Sequence, residues 1–235
     1  APIYVLIAVI LTCIVLAVSM DSFVLPVMFM LSIGFAILLN MGTNIFAGEI
    51  SYITKALCAV LQLGVTMDYS IFLWHSYQEN RERFSGDNER AMAHAISNTF
   101  TAVFGSSFTT IAGFIALCFM SFTLGLDLGI VMTKGVIFGV LSCVTILPSL
   151  ILVFDKAIEK TTHKSFIPEM DGLAKFITKH SAVFIILFIV ISIPAVYGYT
   201  HTNVYYNLDE TLPKDLASIS ANAKVKEDFD MNSTH

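Results

Sequence analysis

An acidic residue stands in the middle of a long apolar segment, within the stretch GVTMDY at residues 64 to 69. Insertion scales put a central aspartate at about +2.5 to +3.5 kcal/mol, so Asp68 is expected to face a bundle interior or a hydrated cavity and to mark an ion or substrate path. Burial favours the protonated carboxyl, which suits Asp68 to taking up and releasing a proton. Tyr69 can donate from its phenol or relay through water. The pair is predicted to form a proton relay.

Two further titratable residues are candidates for supporting this relay. His75 follows Asp68 by seven residues, on the same helical face and about 10 Å along the axis, where it could hand protons in. An ordinary interfacial histidine is the alternative. Lys134 lies in the apolar run LGIVMTKGVIFGVL, two turns from Asp127 and too far to pair with it directly. We hypothesise that Lys134 lies near Asp68, with snorkelling as the alternative, and that Asp127 is solvated.

Small and hydroxyl-bearing residues recur at four-residue spacing in the same apolar segments. Ser106 and Thr110 form a polar ridge that is expected to hydrogen-bond toward Asp68 or ordered water. Glycines at this spacing allow close helix contact, and packing alone is sufficient to explain them. The glycines predicted to serve helix packing are Gly64, Gly105, Gly113, Gly135 and Gly139.

The elements that must position these residues are transmembrane helices. The chain of 235 residues is 56% hydrophobic and only 13% charged, with a mean hydropathy of +0.76, whereas soluble domains carry about 25% charged residues. A helix needs about 20 apolar residues to cross a bilayer. The sequence therefore predicts an all-α polytopic membrane bundle with six spans, at approximately residues 3–18, 23–39, 53–76, 100–119, 126–154 and 182–199.

Among the connections between these spans, only two contain arginine or lysine. Residues 77–99 contain three arginines and residues 155–181 contain five lysines, while residues 41–52 and 121–125 contain neither. The positive-inside rule then places the two basic loops in the cytoplasm. Residues 200–235 are expected to begin an α+β domain outside the membrane, and the chain is expected to be a fragment because this tail is too short for a core of its own.

Several function classes lack any sequence support. The four cysteines fall inside predicted spans without ligand spacing, so neither disulfides nor a metal site is expected. The chain contains no phosphate loop, no zinc-protease motif and no nucleic-acid-binding pattern. An enzyme is therefore not expected.

The order of these features resembles the MMPL branch of the RND transporters. The resemblance rests on MDYSIFLWHSY in one span, the lead-in AMAHAISNTF, the next span with SSFTTIAGFIAL, and a span ending GVLSCVTILPSLILVFD. It implies that the six spans are the second to seventh of twelve in a bacterial cell-membrane protein, an RND-type half bundle. It also implies proton-driven export of lipidic or other hydrophobic molecules, with Asp68 and Tyr69 matching the family's relay pair.

The resemblance also indicates what the chain would work with. Its partners would be the remainder of its own chain, including a second Asp-bearing span, together with membrane lipids and a hydrophobic substrate. Protons would be the coupling ion, with no other cofactor and no nucleic acid, and a homo-oligomer is left open. Two alternatives remain at this point: a non-pumping receptor or regulator with a sterol-sensing-type bundle, and a proton-coupled auxiliary of protein export.

Overall fold

The computed structural model describes residues 2–46, 50–120, 123–163 and 171–202, and their regular secondary structure is helical. The chain forms two compact units, residues 1–168 and 169–235. The helices are α1 (Pro2–Ser19), α2 (Val24–Gly42), α3 (Tyr52–Arg83), α4 (Asn88–Leu117), α5 (Thr123–Val144), α6 (Ile146–Val153), α7 (Asp155–Lys160), α8 (Asp171–Lys179) and α9 (Ser181–His201). The predicted all-α membrane bundle is confirmed.

Five stretches within the described residues are long and apolar enough to cross a membrane, where the sequence predicted six. The remaining predicted span falls on α1, whose apolar part, Val5–Ser19, is shorter than the others. The five are Val24–Phe46, Tyr52–Arg83, Asn88–Leu117, Leu124–Val153 and Ser181–His201. The α+β domain expected from residue 200 onward lies almost entirely outside the described residues.

The charged connection between the third and fourth predicted spans is shorter than expected. Helix α3 continues through the charged residues to Arg83, and α4 begins at Asn88, so only four residues form the turn. Gly86 in this turn has a φ of +104°, which glycine adopts without steric cost. The Asp87 side chain caps α4 by accepting a hydrogen bond from the Arg90 backbone N–H at 3.0 Å.

The fifth predicted span is interrupted near its C-terminal end. Thr145 separates α5 from α6. Pro148 explains the break, because its ring removes a backbone donor and clashes with the carbonyl four residues earlier, at Val144. The fifth predicted span therefore consists of two successive helices, α5 and α6.

Helices α3, α4 and α5 pack against one another, and α2 packs against α5, to form the centre of the first unit. Two glycines of α5 allow this close approach. An added Cβ at Gly135 would lie 2.7 Å from Asn40 Nδ2, and one at Gly139 would lie 2.5 Å from Thr66 Oγ1. Both positions therefore exclude a side chain.

The close contacts expected at Gly64, Gly105 and Gly113 are not made within the described chain. A Cβ added at any of these glycines would meet no atom within 4 Å. The four-residue spacing predicts which faces are smooth, but a smooth face does not specify that a neighbour covers it. These three glycines lie on exposed surface of α3 and α4.

The second unit contains α8 and α9. Helix α8 begins at Asp171. Phe176 of α8 contacts the ring of Phe184 in α9 at a centroid distance of 5.9 Å. Pro194 lies inside the otherwise continuous apolar helix α9.

Candidate functional site

A groove of about 460 Å³ between α3 and α4 contains the predicted relay pair. Asp68 and Tyr69 form part of its α3 wall, and Ser106 and Thr110 form part of its α4 wall. Asp68 lies 16 residues from the first residue of α3 and 15 from the last. At 1.5 Å per residue this is about 24 Å from the first residue and about 22 Å from the last. The structure therefore brings four of the predicted site residues together at mid-helix.

The two members of the relay pair differ in exposure. Asp68 is exposed in the groove, whereas the Tyr69 side chain is 6% exposed and packs in the core. This follows from the rotation of about 100° between adjacent helical residues. Asp68 makes no hydrogen bond or ion pair with any residue that the structure describes. Of the two surroundings expected from the sequence, a bundle interior or a hydrated cavity, the bundle interior is not found, because the carboxyl faces an open groove.

The hydroxyl groups on the opposite wall already donate hydrogen bonds to their own helix. Ser106 Oγ donates to the Val103 carbonyl at 3.1 Å, and Thr110 Oγ1 donates to the Ser106 carbonyl at 2.9 Å. A hydroxyl that donates in this way still has acceptor lone pairs. The α4 wall therefore offers acceptors to the groove, and acceptors match a protonated carboxyl or a water molecule.

His75 lies in a second groove along the same pair of helices. This groove measures about 330 Å³, and Phe72 lines both grooves. Its other lining residues are His75, Ser76, Glu79, Asn98 and Thr99. The groove that contains His75 is therefore next to the Asp68 groove along the surface of α3 and α4. Glu79 and Asn98 are groove residues that the sequence reasoning did not single out.

Lys134 does not lie where the sequence hypothesis put it. Its Nζ donates hydrogen bonds to Asn44 Oδ1 and to Thr43 Oγ1, the latter at 3.3 Å. No ion pair joins it to Asp68 in the described part of the chain. Periodicity gave the depth of Lys134 along α5 but not the helix that it faces. The lysine reaches the end of α2 instead of the α3–α4 groove.

Asp127 also has a structural partner in place of the expected solvent. Its Oδ2 accepts a hydrogen bond from the Ser51 backbone N–H at 2.9 Å. Ser51 is the N-cap residue of α3. Asp127 therefore ties the start of α3 to α5.

A buried amide network that the sequence reasoning missed joins α2, α3 and α5. Asn40 Nδ2 donates to Gln62 Oε1 at 2.9 Å, and Gln62 Nε2 donates to the Gly135 carbonyl at 3.2 Å. Asn40 Nδ2 also contacts Cys58 Sγ at 3.2 Å. Two amides in apolar runs were the available signal, because a buried polar side chain inside a membrane helix requires a partner.

A second missed network lies where α3, α4 and α7 meet. Asp155 accepts hydrogen bonds from Asn88 Nδ2 at 2.7 Å and from the Tyr77 hydroxyl at 3.4 Å. Arg81 forms ion pairs with Asp155, at 3.6 Å, and with Glu159. The basic loops were predicted only from their charge, without contacts between them. Their residues instead hold both predicted cytoplasmic connections together.

Comparisons with known proteins give the chain a family. Residues 2–170 match the model of the MMPL family. Membrane protein YdfJ of Bacillus subtilis is 24% identical over 204 residues, which are 82% of this chain and 28% of that protein. MJ1562 of Methanocaldococcus jannaschii, also named as a membrane protein, is 35% identical over 98 residues, 42% of this chain and 25% of that protein.

The chain thus spans about a quarter of the length of these two relatives. No group of three or more metal-ligating side chains occurs among the residues that the structure describes. The match over residues 2–170 includes the helical bundle that contains Asp68. The chain belongs to the MMPL family of membrane proteins.

Proposed function

We propose that this chain is part of a proton-driven transporter that exports lipidic or other hydrophobic molecules across the bacterial cell membrane. The observation that carries the proposal is Asp68, an exposed carboxyl inside the apolar part of α3 that has no ionic partner among the described residues. An acidic side chain at that depth is costly and marks a functional site by default. The class of substrate comes from the family resemblance.

The two protonation states of Asp68 make different demands on the groove. A protonated carboxyl donates to an acceptor, and Ser106 and Thr110 present acceptor lone pairs because their protons are engaged with backbone carbonyls. An ionised carboxylate accepts only, so it attracts donors and has to draw those hydroxyl protons away from the α4 backbone. Deprotonation therefore changes the contacts between α3 and α4, which gives a proton a means to move helices.

Tyr69 adds a donor beside this carboxyl. Its side chain is buried but lines the same groove, and its hydroxyl has no hydrogen-bond partner in the described part of the chain. Because Tyr69 and Asp68 point about 100° apart around α3, the phenol would donate to an ionised Asp68 through water in the groove. Tyr69 would then stabilise the ionised state, in which the α4 hydroxyls are poor partners.

A receptor of the sterol-sensing type is the main alternative, since it requires no proton movement. The exposed and unpaired state of Asp68 favours the transporter, because a sensor has no use for a titrating group at mid-helix. An auxiliary of protein export would share the proton coupling but not the hydrophobic cargo. A receptor would therefore move no protons, whereas the transporter and the export auxiliary would both move protons but differ in the molecule that is transported.

Export of a fluorescent lipid from proteoliposomes tests this proposal. The full-length protein is reconstituted with an imposed pH gradient, and Asp68→Asn is compared with Asp127→Asn. The control makes the same chemical change in α5, where the amide oxygen can still accept from Ser51. We expect Asp68→Asn to abolish gradient-dependent export and Asp127→Asn to retain it. Gradient-dependent export by Asp68→Asn would refute the proposed role.

A further inference from the structure

The groove around His75 has the composition of a site for exchanging protons with water. Its α3 wall carries His75 and Glu79, one helical turn apart and both exposed. Side chains at i and i+4 on a helix are neighbours, with about 5–6 Å between their Cβ atoms. An imidazole and a carboxylate at this spacing can pass a proton between them directly or through one water molecule.

The α4 wall of this groove supplies neutral polar groups. Asn98 is exposed there, and Thr99 is 4% exposed. The Thr99 hydroxyl has no hydrogen-bond partner among the described residues although it is buried. Because the Thr99 oxygen is itself shielded from solvent, the polar group that the α4 wall presents to groove water is the exposed Asn98 amide, which can both donate and accept.

Neither Glu79 nor His75 forms an ion pair with another described residue, because the basic side chains near this end of the helices have other partners. Arg81 is held by Asp155 and Glu159. Arg90 lies over the ring of Phe84 at 4.9 Å from its centroid, and His94 stacks on the same ring. Of the helices described, only α4 joins α3 in lining this groove, and its contribution is neutral.

We propose that this second groove is the port through which Asp68 exchanges its proton with the cytoplasm, with His75 and Glu79 as the proton carriers. The inference rests on the proposed function. In the release direction, protonated Asp68 gives its proton through groove water to the His75 imidazole. The resulting imidazolium passes it to the Glu79 carboxylate, from which it leaves to bulk water. His75 lies seven residues from Asp68, about 10 Å along the helix.

The position of the groove matches this direction. It lies on the half of α3 that ends at Arg81 and Arg83, near the connection predicted to be cytoplasmic. The grooves of Asp68 and His75 follow each other along one helix pair and share the Phe72 side chain. A proton released by Asp68 therefore meets this groove before it meets the charged end of α3.

The test measures proton flux in proteoliposomes of the full-length protein while the pH on the cytoplasmic face is varied. The variants are Glu79→Gln, His75→Gln, their combination, and Asp68→Asn as a reference for lost coupling. Glu82→Gln is the matched control, because it makes the same change one turn further along α3 at an exposed residue outside the groove. Both port residues are exposed, so their replacement leaves core packing intact.

We expect the double variant to slow proton release roughly 10-fold, less than the 10²–10⁴-fold of a lost general acid or base because groove water still conducts. Its dependence on cytoplasmic pH should flatten, while its dependence on outside pH and its melting temperature stay as in the wild type. Glu79→Asp keeps a carboxylate at this position, so this variant should show the wild-type dependence on cytoplasmic pH. Unchanged flux and profile in the double variant, with Asp68→Asn inactive, would overturn the port alone. An active Asp68→Asn would instead overturn the proposed function.

Discussion

Replacing Gly139 by alanine would place a methyl group into the tightest contact between α5 and α3. The added Cβ would lie 2.5 Å from Thr66 Oγ1, 3.3 Å from its Cγ2 and 3.4 Å from its Cβ. The first distance is too short, so Thr66 or a helix backbone has to move. Thr66 is 1% exposed and β-branched, which leaves its side chain few alternative rotamers.

The change in free energy of unfolding caused by Gly139→Ala results from two opposing effects. Overpacking of a buried contact costs about 1–3 kcal/mol, whereas replacing glycine by alanine inside a helix gains up to about 1 kcal/mol. Gly105→Ala is the matched control, because its new methyl meets nothing within 4 Å and only the gain applies. Gly139→Ala should therefore be less stable than Gly105→Ala by about 1–3 kcal/mol in free energy of unfolding.

Denaturant unfolding of the full-length protein in detergent micelles measures this difference, and a double variant locates its cause. Thr66→Ala removes Oγ1 and Cγ2, and it breaks no hydrogen bond of that hydroxyl because Oγ1 has no partner in the described chain. Combining Thr66→Ala with Gly139→Ala should recover the stability lost on overpacking. Equal stability of Gly139→Ala and Gly105→Ala, or no recovery in the double variant, would refute the packing argument.

Two further predictions use the same unfolding measurement. Gln62→Leu removes the bonds to Asn40 and Gly135 and should cost about 0.6 kcal/mol per bond, with an upper limit of about 1.7; unchanged stability would show that the amide network contributes nothing. Asp155→Ala removes the acceptor of Tyr77 and Asn88 and should cost about 1–3 kcal/mol. Glu82→Ala, at an exposed residue, should stay within about 0.5 kcal/mol, and an equal loss in both variants would contradict the assigned role of Asp155.

The membrane fold could be predicted from the sequence because apolar runs of spanning length have few other structures available. The ends of the helices were harder to predict from the sequence. The charged residues up to Arg83 look like a loop by polarity, yet the helix continues, because Arg81 finds Asp155 and Glu159 across the bundle. The break at Thr145 was visible only as Pro148, which bends a helix without revealing the direction of the bend.

The candidate site could also be predicted only in part from the sequence. The depth of Asp68 and its shared face with His75 follow from counting residues along one helix. Which helix lies opposite does not follow from counting, so Ser106 was placed correctly near Asp68 while Lys134 was not. Lys134 reaches Thr43 because α5 packs against α2 as well as against α3 and α4, and such contacts join residues far apart in the chain.

The central claim is that Asp68 carries the coupling proton. Its most direct test is proton uptake into proteoliposomes of the full-length protein, followed with a lumenal pH indicator after a pH gradient is imposed. Asp68→Asn should lose protein-dependent proton movement while it keeps the wild-type unfolding free energy, and Asp127→Asn should retain that movement. Wild-type proton movement in a folded Asp68→Asn protein would contradict the account.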